Sequence, residues 1–243
     1  MSAGLLAKRA AAIRAMFGRI APRYDLLNHL LSFGQDVRWR RRLAARAVAA
    51  GPTRILDACT GTGDLALACT AAGAVCGCDF ALPMLARARI KAERRRHRLP
   101  LFAADVLRLP LPDGCVDLVT VGFGVRNFES LDRGFRELQR VLRDGGRLLM
   151  LEFSEPRGGA APLFGWWLHH VLPVVGGVLS GDASAYHYLP QSVAEFPERD
   201  EVTAMLTRAG LEPCGARSFS GGLVTLYEAE KEHGSTTDSG GAR

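Results

Sequence analysis

A short segment around a glycine turn holds the residues most able to do chemistry. An apolar run over 53–58 predicts a strand, with Asp57 near its end, and Gly61 and Gly63 come before Asp64 at a predicted helix start. A strand, a glycine turn and a helix build nucleoside pockets in α/β proteins. Pyrophosphate is favoured at a helix amino terminus, but the Asp64 carboxylate would repel it there. The acids Asp57 and Asp64 therefore favour a cationic ligand without phosphate, S-adenosylmethionine, over a dinucleotide.

Two further predicted strands also end in acids. Asp79 ends the run 74–79, and Asp105 follows the run 100–104. A carboxylate at Asp79 can accept hydrogen bonds from both ribose hydroxyls. Asp105 can accept from the adenine amino group, and the Val106 backbone N–H can donate to the neighbouring ring nitrogen. Acids at successive strand ends indicate one shared cofactor pocket, although each alone is also common at helix caps and turns.

The elements that must position these residues alternate between strand and helix. Strands are predicted near 53–58, 74–79, 100–104, 115–121 and 147–153, and helices near 64–71, 82–95 and 131–142. This alternation predicts a parallel sheet with helices on both faces. After a helix near 199–209, strands near 211–218 and 222–229 are joined so tightly that they must be antiparallel. This α/β pattern is typical of the Rossmann-like class I S-adenosylmethionine-dependent methyltransferase fold. It disfavours a dehydrogenase, which the spacing Gly61-x-Gly63-x-x-Ala66 alone would also fit.

Residues 1–231 are predicted to form a single methyltransferase domain. Within it, residues 5–49 form an N-terminal helical cap in two or three pieces, and residues 157–197 form an apolar cap insertion. The Gly/Ser/Thr-rich residues 232–243 are predicted to be a disordered tail.

The cap insertion contains a long uncharged segment, residues 158–181. It is long enough to raise the question of a membrane span. Pro162 and Pro173 interrupt it, and His169 and His170 lie at its middle, which argues against a spanning helix. We interpret the segment as a buried cap that also lines a channel for an apolar substrate.

Composition limits the class of protein further. The chain has 243 residues, of which 23% are charged and 48% hydrophobic, as in ordinary soluble proteins. Its six cysteines form no Cys-x-x-Cys pair, which predicts a reduced, cytoplasmic protein without a metal site. The net charge is +6, and basic residues cluster over 38–42 and 91–98. Solvated helix faces are the first interpretation, a peripheral contact with an anionic membrane the second, and nucleic acid the last. A homodimer is left open.

Several motifs together resemble the ubiquinone/menaquinone biosynthesis C-methyltransferase family, from Met16 to about Tyr227. They are Met16-Phe17-x-x-Ile20-Ala21-x-Arg23-Tyr24-Asp25, Gly61-Thr62-Gly63-Asp64, Phe123-Gly124-x-Arg126-Asn127, Leu151-Glu152-Phe153-Ser154 and Tyr186-x-Tyr188-Leu189. The resemblance implies methyl transfer from S-adenosylmethionine to a ring carbon of a prenylated quinol, such as demethylmenaquinol, in menaquinone or ubiquinone biosynthesis. Another small aromatic or lipid substrate is the alternative.

The same resemblance implies where the cofactor binds. Carried over position by position, the family's contacts fall on Thr62, Asp79, Asp105, Val106 and Gly122. Gly122 replaces a frequent serine, the Asp105-Val106 pair replaces a frequent asparagine–alanine pair, and Cys59-Thr60 stands where many relatives have smaller residues.

Carbon methylation of a quinol requires that a ring hydroxyl lose its proton, so that charge spreads to the neighbouring carbon. The enzyme must then stabilise this charge, accept the proton and exclude water. We expect Arg126 to stabilise the phenolate and Asn127 to orient it or the ring oxygen. We expect Tyr24 and Asp64 to join a proton-accepting network through water. The alternatives are a loop-fixing ion pair for Arg126, a turn residue at Asn127 and a packing aromatic at Tyr24.

Overall fold

Seven strands form one sheet in the computed structural model, which describes residues 3–154 and 183–233. The strands are β1 (Arg54–Ala58), β2 (Ala74–Asp79), β3 (Leu101–Ala103), β4 (Val116–Gly122), β5 (Leu142–Phe153), β6 (Leu211–Phe219) and β7 (Val224–Lys231). Their order is β3-β2-β1-β4-β5-β7-β6. The pairs among β1 to β5 are parallel, whereas β7 is antiparallel to both β5 and β6. The predicted methyltransferase-type sheet with its C-terminal hairpin is confirmed.

Eight α-helices surround this sheet within the described ranges. They are α1 (Ala3–Ile20), α2 (Tyr24–Leu31), α3 (Gln35–Ala50), α4 (Asp64–Cys69), α5 (Leu82–Arg94), α6 (Leu131–Val141), α7 (Ala183–Ala194) and α8 (Arg199–Arg208). The predicted helices over 5–49 are present as three pieces. Gly34 and Gly51 bracket α3 with φ of +71° and +61°, a left-handed conformation that glycine adopts without steric cost.

The structure differs from the sequence prediction at the start of β5. The sequence predicts a strand that begins near residue 147. Instead the chain is extended from Leu142, and the irregularity is a bulge in the pairing with β4, between Val116 and Leu118. Gly145 has a φ of +68°, so glycine lets the strand bulge without ending it.

Helices cover the parallel strands on both faces. In β1 the side chains after Arg54 are buried, as expected for a parallel strand between two helical layers. Leu56 packs in the apolar cluster that contains Phe135 of α6 and Leu206 of α8. Ile55 packs in the opposite cluster, with Trp39 of α3. The carboxyl ends of the central strands are thereby held rigidly at one edge of the sheet.

Two sequence predictions fall outside the described residues. These are the uncharged segment 158–181, with most of the predicted cap insertion, and the tail over 234–243. In the part of the chain that is described, none of the helices combines the length and the apolar character needed to cross a bilayer.

Candidate active site

A cavity of about 880 Å³ opens at the carboxyl ends of the parallel strands, and we call it the strand-end cavity. Its lining includes residues at or just after the ends of β1, β2, β3 and β4, namely Gly61, Asp79, Asp105, Val106 and Gly122. The cavity lies where the strand order reverses beside β1, the usual place for ligands in such sheets. Five of the eight predicted cofactor residues are therefore brought together.

Asp79 is the buried carboxylate of this cavity. One of its oxygens accepts from the Gly61 backbone N–H at 2.9 Å, and the other accepts from the Ala81 N–H at 2.9 Å. Burial raises the pKa of Asp79, although these backbone donors oppose the shift. Each carboxylate oxygen can accept two hydrogen bonds, so acceptor capacity remains for a ligand in the cavity. The two carboxylate oxygens of Asp79 therefore form a pair of acceptors of the kind that two ribose hydroxyls require.

Asp57 has a different position from the one predicted. It does not line the strand-end cavity but lies behind it, 1% exposed, where its two oxygens accept from the hydroxyls of Thr60 and Thr120 at 2.6 Å each. Burial raises the pKa of Asp57 to about 6. The side chain joins β1, β4 and the glycine turn, so it shapes the loop from behind.

Asp64 and Thr62 also point away from the cavity lining. Lys91 of α5 donates to an Asp64 oxygen at 2.6 Å and to the Thr62 hydroxyl at 3.1 Å. The same ammonium pairs with Asp25 of α2 at 2.7 Å. The Asp64 charge is therefore compensated. Asp64 does not supply the negative charge that was predicted to favour a cationic ligand. Gly63 permits the close packing here, since a Cβ on it would lie 3.0 Å from the Cβ of Ala88.

An acidic rim does exist, but other residues provide it. The charged side chains that line the strand-end cavity are Asp79, Asp105, Glu129 and Arg14, three acids and one base. Such a surface disfavours the phosphates of a dinucleotide and suits a ligand with sulfonium and ammonium groups. The net negative charge of the cavity lining therefore suits S-adenosylmethionine. Sequence reasoning missed Glu129 because it lies in an irregular loop, with no strand end to mark it.

A second cavity of about 1170 Å³ adjoins the first, and we call it the apolar cavity. Helices α1, α2, α3 and α7 supply most of its walls, including Met16, Ile20, Leu31, Trp39 and Leu189. Three aromatic residues line both cavities: Phe17, Tyr24 and Phe123. A molecule in the apolar cavity can therefore meet one in the strand-end cavity across these shared walls.

Arg126 lies in the wall of the apolar cavity and is anchored by a buried partner. Its Nη1 donates to Glu152 Oε1 at 2.7 Å and to the Phe123 carbonyl at 2.5 Å, while its backbone N–H donates to the other Glu152 oxygen. The side chain of Glu152 is fully buried, and that of Arg126 is 6% exposed. Among the described residues, the buried Nε of Arg126 has no hydrogen-bond partner. The residue is an ion-pair anchor with donor capacity left over.

Tyr24 and Asn127 lie at the boundary between the cavities. Tyr24 lines both, and Asn127 lines the strand-end cavity while accepting from the Tyr188 hydroxyl of α7 at 2.8 Å. Burial raises the pKa of Tyr24, although the charges of Arg126 and Arg40 oppose the shift. The Tyr24 hydroxyl therefore keeps its proton at neutral pH and acts as a donor. Three of the four predicted catalytic residues, all except Asp64, line a cavity.

Comparisons with known proteins agree with this geometry. A family model described as the ubiE/COQ5 methyltransferase family matches residues 6–231. The chain belongs to this family.

Relatives and solved structures extend the result. A demethylmenaquinone methyltransferase from Thermus thermophilus is 53% identical over 80% of this chain and 90% of its own length. A ubiquinone/menaquinone biosynthesis C-methyltransferase from Geobacter sp. is 42% identical over 93% of this chain and 99% of its own. A SAM-dependent methyltransferase from Aquifex aeolicus shares the fold, with a TM-score of 0.53 and 18% identity over 73% of this chain and 81% of its own. The predictions of family, methyltransferase class and S-adenosylmethionine as cofactor are confirmed.

The glycine at position 122 of this ubiE/COQ5 family member has a packing reason. A Cβ on Gly122 would lie 3.0 Å from Cδ2 of Leu65, so a serine would require Leu65 to move. Cys59 is constrained by its backbone and by a glycine neighbour. Its φ is +55°, which is rare for a residue that carries a side chain, and it packs against Gly124. A Cβ on Gly124 would lie only 2.5 Å from the Cβ of Cys59. The departures at Gly122 and Cys59 are thus matched by the close neighbours Leu65 and Gly124.

Sequence reasoning missed a polar cluster in the wall of the apolar cavity. Asp36 is 3% exposed and accepts from Ser32 Oγ at 2.9 Å, and it pairs with His29 Nδ1 at 2.6 Å and Arg40 Nη1 at 2.5 Å. Burial alone would raise the pKa of Asp36, but Arg40, Ser32 and His29 outweigh it, and the pKa is lowered. Residues 29, 32, 36 and 40 recur at intervals of three or four, which places them on one side of α2 and α3. This spacing was visible in the sequence.

Proposed function

We propose that this protein transfers the methyl group of S-adenosylmethionine to a ring carbon of a prenylated quinol, converting demethylmenaquinol to menaquinol. The relatives named above support the quinol as substrate. The apolar cavity supports it independently, because an aromatic ring with a prenyl chain needs a large apolar space beside the cofactor.

One observation carries the proposal: two cavities of different character share an aromatic wall. The strand-end cavity has an acidic lining, and the apolar cavity has Arg126 in its wall. Phe17, Tyr24 and Phe123 belong to both. This arrangement suits one cationic and one apolar reactant that must meet, and it limits the access of water between them.

We expect the strand-end cavity to hold the cofactor, and the residues of its lining support this assignment. Asp79 would accept from the ribose hydroxyls, while Asp105 and the Val106 backbone would bind adenine at the rim. The Gly61 and Gly122 backbones leave room for close approach. When bound, S-adenosylmethionine supplies an electrophilic methyl group on its sulfonium sulfur.

Residues of the apolar cavity and of the boundary between the two cavities would prepare the quinol. The positive charge of Arg126 would favour loss of the proton from a ring hydroxyl and would hold the resulting phenolate. Tyr24, which stays protonated, would donate a hydrogen bond to the same oxygen, and Asn127 would orient the ring. The hydroxyl proton would leave through water, and the ring carbon that takes the methyl group would lose its own hydrogen as a proton while the ring oxygen regains one. Asp64 can take part only at a distance, since Lys91 occupies its carboxylate.

The direct test is methyl transfer by the purified protein. Labelled S-adenosylmethionine is incubated with chemically reduced, demethylated naphthoquinol and benzoquinol, each with one prenyl unit, and products are identified by mass spectrometry. We expect a methylated naphthoquinol with the new group on carbon. Transfer to oxygen, or no transfer to either quinol while the protein binds S-adenosylmethionine, would overturn the proposal. In cells that lack the protein, we expect demethylated menaquinone to accumulate.

We infer further that the protein works at the inner surface of the membrane as a peripheral protein, because its substrate is dissolved in the bilayer. The basic clusters over 38–42 and 91–98 support this inference in part. Lys91 does not, since it is 18% exposed and is paired with Asp25 and Asp64. The candidates for lipid contact are the exposed arginines of the two clusters, Arg38, Arg41, Arg42, Arg94, Arg95, Arg96 and Arg98.

A further inference from the structure

Two of the sequence motifs, the one that ends in Asp25 and the glycine turn with its helix start, are joined by a single lysine. Lys91 Nζ lies 2.7 Å from Asp25 Oδ2 of α2 and 2.6 Å from Asp64 Oδ1 of α4. Lys91 also donates to the Thr62 hydroxyl at 3.1 Å, and that hydroxyl donates to Asp25 Oδ1 at 2.5 Å. We call these four residues the Lys91 network.

The charges of the Lys91 network suit the helix ends on which they lie. Asp25 and Asp64 are in the first turns of α2 and α4, where the helix end is partially positive. Lys91 is in the last turn of α5, where the helix end is partially negative. The side chains of Lys91, Asp64 and Asp25 are 18%, 16% and 35% exposed, so salt screens these ion pairs less than it screens fully exposed ones. The network therefore joins three helix ends at one point.

The network connects the proposed ribose site with the proposed quinol donor. Asp79, the carboxylate of the strand-end cavity, accepts from the Gly61 N–H at 2.9 Å. Thr62 is the next residue, so the same glycine turn places its hydroxyl. Asp25, which accepts from that hydroxyl, comes directly after Tyr24 in the chain. A continuous series of covalent and hydrogen bonds thus runs from the carboxylate of the strand-end cavity to Tyr24.

The Lys91 network itself lies outside both cavities. None of its four described side chains belongs to the lining of either cavity, whereas Tyr24 lines both. Lys91 can therefore affect the reactants only through the residues that it holds. The Tyr24 ring also packs against the cluster of Ala21, Ala81 and Met84. This packing holds the body of the ring, and the network holds the end of α2 from which the ring projects.

We propose that Lys91 is a positioning residue for the transfer reaction: it holds Asp25 to the glycine turn and thereby fixes Tyr24 at the boundary between the cavities. This inference rests on the proposed function, because it depends on the hydrogen bond that Tyr24 would donate to the quinol oxygen. A displacement of the Tyr24 hydroxyl by about 1 Å is enough to slow the reaction, because transfer requires close alignment of the reacting groups.

The first experiment measures methyl transfer at saturating S-adenosylmethionine, so that a change in cofactor affinity does not enter the comparison. Lys91→Met removes the cation, and Thr62→Val removes the hydroxyl that donates to Asp25 while nearly keeping the shape of the side chain. We expect each substitution to lower kcat for the naphthoquinol with one prenyl unit by about tenfold or more. Lys91→Arg keeps a cation beside both acids and should restore most of the rate.

A second partly buried lysine provides the matched control. Lys231 is 15% exposed, lies 3.9 Å from Asp144 Oδ1 and donates to the Leu142 carbonyl at 2.8 Å. It is in the lining of neither cavity. Lys231→Met therefore removes a lysine of similar exposure and should leave kcat near that of the wild type. Equal losses in Lys91→Met and Lys231→Met, or no loss in Lys91→Met and Thr62→Val, would overturn the proposal.

The second experiment asks whether Lys91 acts through Tyr24. Tyr24→Phe removes the hydroxyl that the network is proposed to place. Because that hydroxyl is then absent, Lys91→Met should lower kcat by clearly less in the Tyr24→Phe background than in the wild type. Equal losses in the two backgrounds would mean that packing alone holds Tyr24 in place, and the proposal would be wrong. If Lys91→Met does not fold, as judged by urea unfolding, Thr62→Val takes its place in the same comparison.

The outcomes separate this inference from the proposed function. A wild-type protein that binds S-adenosylmethionine but methylates neither quinol contradicts the proposed function. A wild-type protein that methylates the quinol, together with equal losses in the two Tyr24 backgrounds, leaves the proposed function intact and contradicts only the role of Lys91.

Discussion

The two cavities of this protein are built by different rules. The strand-end cavity is built mainly at the ends of four neighbouring parallel strands, although Arg14, Phe17 and Tyr24 of α1 and α2 also line it. The apolar cavity is built mainly from four helices, together with loop residues and Phe153 of β5. The first cavity depends mainly on the sheet, and the second depends mainly on the helices around the sheet. Cofactor binding should therefore tolerate changes in α3 and α7, which line only the apolar cavity, and quinol binding should not.

The largest effect that tests this difference concerns Arg126 and its buried partner. Arg126→Met leaves the Glu152 carboxylate buried without a cation, which should lower the free energy of unfolding by about 3–5 kcal/mol. Arg126→Met/Glu152→Gln removes both charges and should regain most of that loss in urea unfolding. Both variants should transfer methyl groups about a hundredfold more slowly or worse, because the phenolate loses its cation.

Binding of S-adenosylmethionine to the double variant should stay near normal, measured by calorimetry. A double variant that recovers the transfer rate together with its stability would show that Arg126 serves only to fix the loop.

The next effect belongs to the strand-end cavity. Asp79→Ala removes the carboxylate that lines it and should weaken S-adenosylmethionine binding by about 2–4 kcal/mol in calorimetry. Glu129→Gln is the matched control: it removes one charge of the rim and should cost less than about 1 kcal/mol. Unchanged affinity in a folded Asp79→Ala protein would mean that the cofactor lies elsewhere. NADH should not bind to the wild type in the same assay.

Sequence reasoning reached the strand-end cavity because its signals are local. A strand followed by an acid can be read from adjacent residues, which is why Asp79, Asp105 and Val106 were placed correctly in the cavity lining. It could not tell a lining acid from a supporting one. Asp57 faces away because a hydroxyl on β4, 63 residues later, binds its carboxylate. Asp64 faces away because Lys91, 27 residues later, pairs with it.

The apolar cavity was harder to predict because it depends even more on residues that are distant in sequence. Its polar groups are completed by partners from distant elements, as with Tyr188 and Asn127, which are 61 residues apart. No periodicity within one helix encodes such a pair. The sequence predicts a role for Arg126, but it does not reveal that the buried Glu152 of the neighbouring strand β5 holds it. Its two roles, anchoring the loop and lining the cavity, follow only from the folded geometry.

A smaller effect concerns the support behind the strand-end cavity. The pKa of Asp57 is raised to about 6, so the folded state binds this proton more tightly than the unfolded state does. The associated stability is present at low pH and is lost as the pH rises from about 4 to about 6. Asp57→Asn removes this dependence, and its stability relative to the wild type should improve by up to ~3 kcal/mol over that range.

Urea unfolding at a series of pH values measures the trend, and Asp117→Asn provides a control of opposite sign. Burial opposes the shift at Asp117, but Thr53, Arg54 and Arg143 outweigh it and lower the pKa. Its contribution is lost as the pH falls below about 4. A flat difference between Asp57→Asn and the wild type would contradict the raised pKa.

The smallest effect lies at the boundary between the cavities, and it tests whether they act together. The Tyr188 hydroxyl, from the apolar cavity, donates to Asn127 Oδ1, in the strand-end cavity, at 2.8 Å. Tyr188→Phe removes one neutral hydrogen bond, worth about 0.5–1.5 kcal/mol, and should lower kcat/KM for the quinol by about tenfold at most. Affinity for S-adenosylmethionine should not change. In an Asn127→Ala background, Tyr188→Phe should lower kcat/KM by less than it does in the wild type, because the hydrogen bond between the two side chains is already absent. If the losses in kcat/KM from the two substitutions simply add, Tyr188 contacts the quinol itself. The boundary between the cavities would then be set by the substrate and not by this hydrogen bond.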